Sequence, residues 1–385
     1  MKKITLLIII LMMNSSFGQN KLNGVVLNYA TKKPIEYVDI YNHYNFTSTN
    51  SEGRFSFTSK NDSIKIRLIG YEAIFTTFNK IKSDTIFLKS KFEELDEIIL
   101  SNASYLKEIY TSVKENYLLE PYTETFFLRC YIKKNGKLLK IQDLNGLVKR
   151  KTLFGTSEKP MPKKNYQVNV LNVRKAGIQE EDINFVMFNF KHIFDLVASV
   201  VISSKLYDFS ENKSKNLDFI KYSFYPNSEN KTNIEGYYLI NKNDNAFTEY
   251  HMKKIDTNAT YTENRGIKFR TTYFERATLF KKNLIENKYF IDKAKIKAET
   301  EVIDKNGEKA IYNVTYNLIT LNQNNIKLNK KHSVKKDLFK FKKPYNSEFW
   351  KTQEYLLLTE EMNEFLRTIK KSNNEFKTTT NIEEY

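Results

Sequence analysis

The stretch Lys21–Phe57 reads KLNGVVLNYATKKPIEYVDIYNHYNFTSTNSEGRFSF. Leu22–Leu27 alternates around Gly24, Asn28–Lys33 is a polar turn, and Pro34 opens a second run, Ile35–Tyr41. Asn50-Ser51-Glu52-Gly53 is a further turn whose glycine takes a positive φ without penalty. Arg54–Phe57 then begins another strand. Working outward, Ser63–Ile69 alternates with period two, Gly70-Tyr71 marks a bend, and Ala73–Phe78 and Thr85–Leu88 supply two more strands. Short strands at this spacing, with turn chemistry between them, predict an antiparallel β-sandwich over residues 20–92.

The succession G-V-V-L, P-I-E-Y-V-D-I-Y and T-N-S-E-G-R-F-S-F, with Gly70-Tyr71 and the closing D-T-I-F-L, resembles the carboxypeptidase-regulatory-like domain. That module is a transthyretin-like sandwich carried by many secreted proteins of the Bacteroidetes. The resemblance implies a seven-stranded Greek-key sandwich that is not itself a catalyst. The following Glu93–Leu100 is similar to the L-D-E-V-V segment found after this module in TonB-dependent receptors. Its acids lack the D-x-D-x-D-G spacing of a calcium loop, so a solvated exit strand is the preferred reading.

Residues 1–19 read as a secretory signal. Lys2 and Lys3 precede the apolar run Ile4–Met13, and Ser16-Phe17-Gly18 offers small residues for cleavage. Ten apolar residues fall short of the roughly 20 that span a bilayer, so no transmembrane span is expected in the mature chain. The expected location is the periplasm, or the periphery of the outer membrane, of a Gram-negative bacterium. Cys130, the single cysteine, has no disulfide partner within the chain and sits in a strand-like run, where it reads as a small buried hydrophobe.

The 385 residues are 41% hydrophobic, with 28 Phe and 25 Tyr, which suffices for genuine cores and argues against disorder. The formal charge is +17, yet residues 20–100 hold 11 Lys plus Arg against 10 Asp plus Glu. The excess therefore lies beyond residue 100. It would suit an envelope component or protein partner, such as an anionic glycan or lipid. Dispersed lysines also fit a plain compositional bias. Export argues against nucleic acid.

After a linker at 93–104, residues 105–371 read as an α+β domain with a large antiparallel sheet, and 372–385 as a polar tail. Ser104–Leu118 suits a helix with Leu106, Ile109, Val113 and Tyr117 on one face. Thr125–Lys133 and Lys137–Lys149 flank Asn135-Gly136, a hairpin signal. Glu180–Ser203 carries Ile183, Val186, Met187, Phe190, Phe194, Val197 and Val201 on one stripe, which predicts a long helix laid on the sheet. Further hairpins bracket Lys242–Asn245 and Asp304–Gly307. Gly236–Asn241 followed by Ala246–Tyr250 resembles a hairpin of the lipoprotein carriers of the Lol type, which lay helices across a curved sheet. Glu360–Lys371 is a helix capped by Thr359, with acids first and bases last. Phe126–Arg150 and Phe349–Thr359 are similar to segments of flavobacterial proteins that carry the same regulatory-like domain.

The sequence carries no recognised catalytic motif. His43, His192, His251 and His332 are scattered without i, i+4 pairs, and there is no G-x-S-x-G elbow, Walker loop or dinucleotide-binding glycine run. No enzyme activity, metal or other cofactor is expected. One stretch, Lys336–Trp350, interleaves Lys340, Lys342 and Lys343 with Phe341, Tyr345 and Trp350, which suits a ligand or partner surface. An ordinary strand with Trp350 in the core is the preferred alternative. The fold class is therefore mainly β with α+β character, a sandwich followed by a large antiparallel sheet with a few helices. The leading functional class is a non-enzymatic binding or scaffold module of the cell envelope. A carrier of apolar or lipid ligands comes second and a cryptic hydrolase third. An open apolar cavity lined by the Glu180–Ser203 stripe would favour the carrier. Residues 20–90 are expected to fold alone and to present or stabilise the second domain.

Overall fold

The computed structural model describes residues 19–91, 98–100, 104–156, 158–177, 188–202, 204–212, 218–283, 286–324 and 328–371. Apart from Gln19, the leader expected over 1–19 lies outside them, as do Glu93–Glu97, the tail 372–385 and the first part of the Glu180–Ser203 helix. No described helix is long and apolar enough to cross a membrane. The chain forms two compact units, Met1–Lys91 with Gln353–Thr359, and Phe92–Thr352 with Glu360–Tyr385.

The first unit holds seven strands: β1 (Asn20–Asn28), β2 (Asp39–Tyr41), β3 (Phe46–Ser48), β4 (Arg54–Ser59), β5 (Ser63–Arg67), β6 (Ile74–Thr77) and β7 (Thr85–Leu88). They form two sheets, in the orders β4-β1-β7 and β3-β2-β5-β6. Their inner faces bury Val26, Val38, Ile40, Phe55, Phe57, Ile64, Ile66 and Leu88. The turn glycine Gly53 has a φ of 71°, and a Cβ there would meet Val26 O at 2.5 Å.

This unit also contains a piece that the sequence reading assigned to the range 105–371. Gln353–Thr359 runs along the edge strand β3 in parallel, with Ser48 N donating to Tyr355 O at 3.1 Å and Leu356 buried. An edge strand exposes unpaired backbone groups, and this segment covers them. The Glu354 carboxylate accepts from Thr58 N at 3.1 Å, Thr58 Oγ1 at 2.9 Å and Ser56 Oγ at 3.3 Å, all on β4 of the other sheet. One heptapeptide thus joins both sheet edges. Charge-assisted bonds of this kind contribute about 1.5–3 kcal/mol, so Glu354→Ala should destabilise this unit by roughly that amount. A synthetic peptide of residues 352–360 should likewise raise the melting temperature of an isolated 20–92 fragment. No shift on adding the peptide would remove the segment from the folded unit.

The second unit is built on strands β8 (Ile98–Leu100), β9 (Tyr122–Lys134), β10 (Lys137–Arg150), β11 (Tyr166–Gly177), β12 (Tyr207–Asn212), β13 (Phe219–Pro226), β14 (Ile234–Asn241), β15 (Ala246–Ile255), β16 (Thr262–Asn264), β17 (Ile267–Asn283), β18 (Lys288–Ile303) and β19 (Lys309–Asn324). They form one antiparallel sheet in the order β11-β10-β9-β19-β18-β17-β15-β14-β13-β12-β8, with β16 beside β17. Asn135 and Gly136 both take positive φ, 47° and 80°, as the tight β9–β10 hairpin requires. The helices are α1 (Ser104–Thr111), α2 (Val113–Asn116), α3 (Phe190–Ala198), α4 (Ser347–Thr352) and α5 (Glu360–Lys371).

Two helix expectations change. The Ser104–Leu118 helix divides at Ser112 into α1 and α2, with Leu106, Ile109, Val113 and Tyr117 all buried. Within the described part of Glu180–Ser203, the helix is confined to Phe190–Ala198. Asn189 caps its start by accepting from His192 N at 2.9 Å. Its end is fixed by the sheet: Arg276 on β17 donates to Leu196 O and Ser199 O, and Thr278 Oγ1 to Val197 O at 3.1 Å. With the last carbonyls satisfied by side chains, the backbone leaves the helix. Val201 then points outward, 68% exposed, rather than joining the buried stripe of Phe190, Phe194 and Val197.

Candidate functional site

An open groove of about 820 Å³ lies where α1, α2, Phe154–Thr156 with Glu158, and the residues after α3 meet. Its apolar lining includes Leu106, Val113, Phe154, Val200, Val201 and Phe247, with Lys107, Lys114 and Lys205 also around it. The floor is rigid because aromatic side chains hold it. Tyr117 packs against Phe154, Phe247, Phe280 and Tyr289, and its hydroxyl donates to Phe247 O at 2.5 Å. The walls are tied together by tyrosines. Tyr110 OH accepts from Ile202 N at 3.2 Å and lies 2.9 Å from Tyr238 OH, which donates to Val200 O. Burial raises the pKa of Tyr110 and Tyr238, so both stay neutral and act only through hydrogen bonds. Lys114 pairs with Glu158 at the rim, while Lys107 and Lys205 are exposed. The volume falls within the range of about 300 to 1,000 Å³ usual for ligand pockets with mostly apolar walls.

Three sets of paired charges elsewhere in this unit hold the sheet together. Asp143 on β10 is fully buried between two arginines directly opposite it in the ladder. Arg129 on β9 grips both carboxylate oxygens at 2.9 Å, and Arg174 on β11 donates to Oδ2 at 2.8 Å. Burial alone would raise the Asp143 pKa, but the two guanidinium groups outweigh it and hold the carboxyl below its usual range. Glu124 and Arg150 form a second buried pair, with Nε donating to Oε1 at 2.6 Å. His251 lies 3.0 Å from Glu275, whose carboxylate also meets Lys297 at 3.0 Å. These three sit on the neighbouring strands β15, β17 and β18 and form a cross-strand ladder. The His251 bond, then Lys297, keep the Glu275 carboxyl well below the normal range against the pull of burial. Among the described residues, no group of three or more His, Cys, Asp or Glu could hold a metal ion. Cys130 is fully buried and burial pushes its thiol pKa well up, so it is an inert part of the core.

The stretch Lys336–Trp350 is not a strand. It contains a turn of 3-10 helix, Leu338–Lys340, and then α4. Asp337 caps the former by accepting from Phe339 N at 2.9 Å. Two of the aromatics offered for a ligand surface are core residues; for Trp350 this is the preferred alternative, although it reaches the core from a helix and not a strand. Phe341 is 2% exposed and Trp350, on α4, is 4% exposed, with the Arg174 guanidinium 4.7 Å from the indole centroid. Lys340 and Lys342 are exposed, and Lys343 and Tyr345 are half-buried. Sequence reasoning placed no ligand on the α1–α2 face, because Leu106 and Val113 read there simply as a helix stripe. Of the described residues of the Glu180–Ser203 stripe, only Val201 lines the groove, and it lies past the end of α3.

No protein-family model matches the chain, and no curated protein matches it in sequence. By structure it is similar to a putative outer membrane lipoprotein-sorting protein domain from Vibrio parahaemolyticus, at 8% identity and a TM-score of 0.24, over 57% of this chain and 90% of that one. Lipovitellin follows at 7% identity and 0.23, over 55% of this chain and 26% of that one. The MucA/MucB complex of Pseudomonas aeruginosa is similar at 7% identity and 0.16, over 55% and 92%. At scores this low the likenesses carry no argument about ligand or mechanism.

Proposed function

We propose that this is an exported, non-enzymatic binding protein of the bacterial envelope whose second unit holds the apolar chain of an acidic amphiphile in the α1–α2 groove. The observation that carries the reading is the open groove of about 820 Å³, mainly apolar inside and bordered by Lys107, Lys205 and the Lys114–Glu158 pair. The lysines suit a carboxylate or phosphate headgroup, and the apolar walls suit the chain behind it. Its floor belongs to a filled aromatic core, so the shape exists before any ligand arrives. The first unit, read as a carboxypeptidase-regulatory-like sandwich, serves as a non-catalytic companion.

Fluorescence titration with a polyene fatty acid tests the groove. Val201→Glu changes an exposed residue, so the fold should be unaffected while a carboxylate enters the apolar lining. Binding should weaken about tenfold or more, since an unpaired charge against an apolar chain costs over 1.4 kcal/mol. Equal binding by the variant and the wild type, or no saturable binding at all, would refute the reading.

A further inference from the structure

Residues 328–341 touch the outer edge of the sheet at His332. His332 N donates to Val168 O at 2.7 Å, and its Nδ1 accepts from Val170 N at 3.1 Å, which joins the segment to the edge strand β11. Lys191 N donates to Val334 O at 3.0 Å, which fastens the same segment to the first turn of α3. Phe341 is the buried anchor: the His332 ring packs 5.7 Å from it, Lys336 Nζ lies 4.9 Å from its centroid, and Lys175 Nζ donates to its carbonyl at 3.5 Å. The result is a concentration of cations. Burial, together with the charges of Lys342 and Lys336, holds the Lys175 ammonium below its usual range. Burial, with Lys330, Lys343 and Lys336, does the same to His332. Lys330, Lys336 and Lys342 are exposed, and the same stretch carries half-buried Val334, Phe339 and Tyr345, the first two packed against the core.

We propose that this lysine surface, Lys175 with Lys330, Lys336, Lys342 and Lys343, docks the protein on an anionic lipid bilayer. Cations crowded together are relieved by an anion that several of them share. Lysine is a compact point charge suited to an array of phosphates rather than to one bidentate carboxylate. Half-buried Tyr345, close in sequence to Lys342 and Lys343, suits the interfacial layer, where Tyr and Lys sit together. The surface meets α3 at its N-terminal end, whereas the groove lies beyond its C-terminal end, roughly 13 Å of helix away. Docking and chain binding are therefore separate properties with separate tests.

Cosedimentation of the full chain with phosphatidylcholine vesicles, with and without phosphatidylglycerol, reads the docking. Wild type should prefer the anionic vesicles, with affinity falling steeply as salt rises. K330E/K336E/K342E should lower that affinity about tenfold or more. K60E/K65E/K80E, an equal charge change on the first unit, should stay within about twofold. K330Q/K336Q/K342Q should lose roughly half as much on a logarithmic scale, which keeps the test valid if charge reversal disturbs folding. Val201→Glu should sediment like wild type, and K330E/K336E/K342E should still bind the polyene fatty acid, so the groove and the docking surface succeed or fail separately. Equal losses in the first-unit control, no preference for anionic vesicles, or capture by heparin without capture by vesicles would overturn the proposal.

Discussion

Replacing Asp143 with asparagine is expected to destabilise the second unit by about 3–5 kcal/mol, the usual cost of leaving a buried charge without its partner. Arg129 is 1% exposed and cannot be rehydrated in place. The Arg174 guanidinium, over Trp350, would keep its ring contact but lose its anion. Urea unfolding followed by Trp350 fluorescence measures the loss, and a triple variant that makes the whole cluster apolar, Arg129→Met with Asp143→Leu and Arg174→Met, should recover much of it. A cost under about 1 kcal/mol would mean the ladder is not closed as described. The pH dependence has a fixed sign. The folded carboxyl titrates below its unfolded value of about 4, so its contribution is complete above that pH and is lost as pH falls through the folded pKa. The gap between wild type and variant should therefore narrow below about pH 4. Glu275, held low by His251 and Lys297, adds to the same acid loss.

Phe190→Ala carries the other large effect, about 3–5 kcal/mol for a fully buried ring. Phe190 is 0% exposed, and its ring lies 5.3 Å from Phe126 on β9, 5.7 Å from Phe194 and 5.6 Å from Phe341. It thus joins α3, the sheet and residues 328–341. Thermal unfolding should show the loss in the second unit alone. A change below about 1 kcal/mol would indicate a helix not seated on the sheet.

Much of this architecture was legible because its signals are local. Asn135-Gly136 fixes the β9–β10 hairpin, the alternation of Ser63–Arg67 marks β5, and Glu360–Lys371 announces its helix with acids first and bases last. What escaped depends on contacts distant in sequence. Gln353–Thr359 carries no mark of the strand it covers some 300 residues earlier, because backbone pairing is indifferent to side-chain identity. The helix after Asn189 stops at Ala198 because Arg276 and Thr278, on a strand far along the chain, take up its last carbonyls. Glu124, Arg129, Asp143 and Arg150 look solvent-facing in a strand, yet both faces of β9 and β10 are covered there. Phe126 and Phe190 meet on one side, and α5 lies on the other, where Lys133 pairs with Glu361 at 2.5 Å. The hairpin register could have placed Arg129 opposite Asp143, since the two stand nearly equidistant from the Asn135-Gly136 turn. The groove was hidden for a related reason: its lining comes from four separate stretches, around Leu106–Lys114, Phe154, Ala198–Lys205 and Phe247, that only the fold brings together.

Photolabelling tests the central claim most directly. A long-chain fatty acid bearing a diazirine near its tail, irradiated with the full protein and mapped by mass spectrometry, reports where the chain lies. Labels should concentrate on Leu106–Val113 and Val200–Ile202, compete with unlabelled fatty acid, and fall sharply in Val201→Glu. Labels spread over the protein without competition, or gathered away from these two segments, would contradict the account.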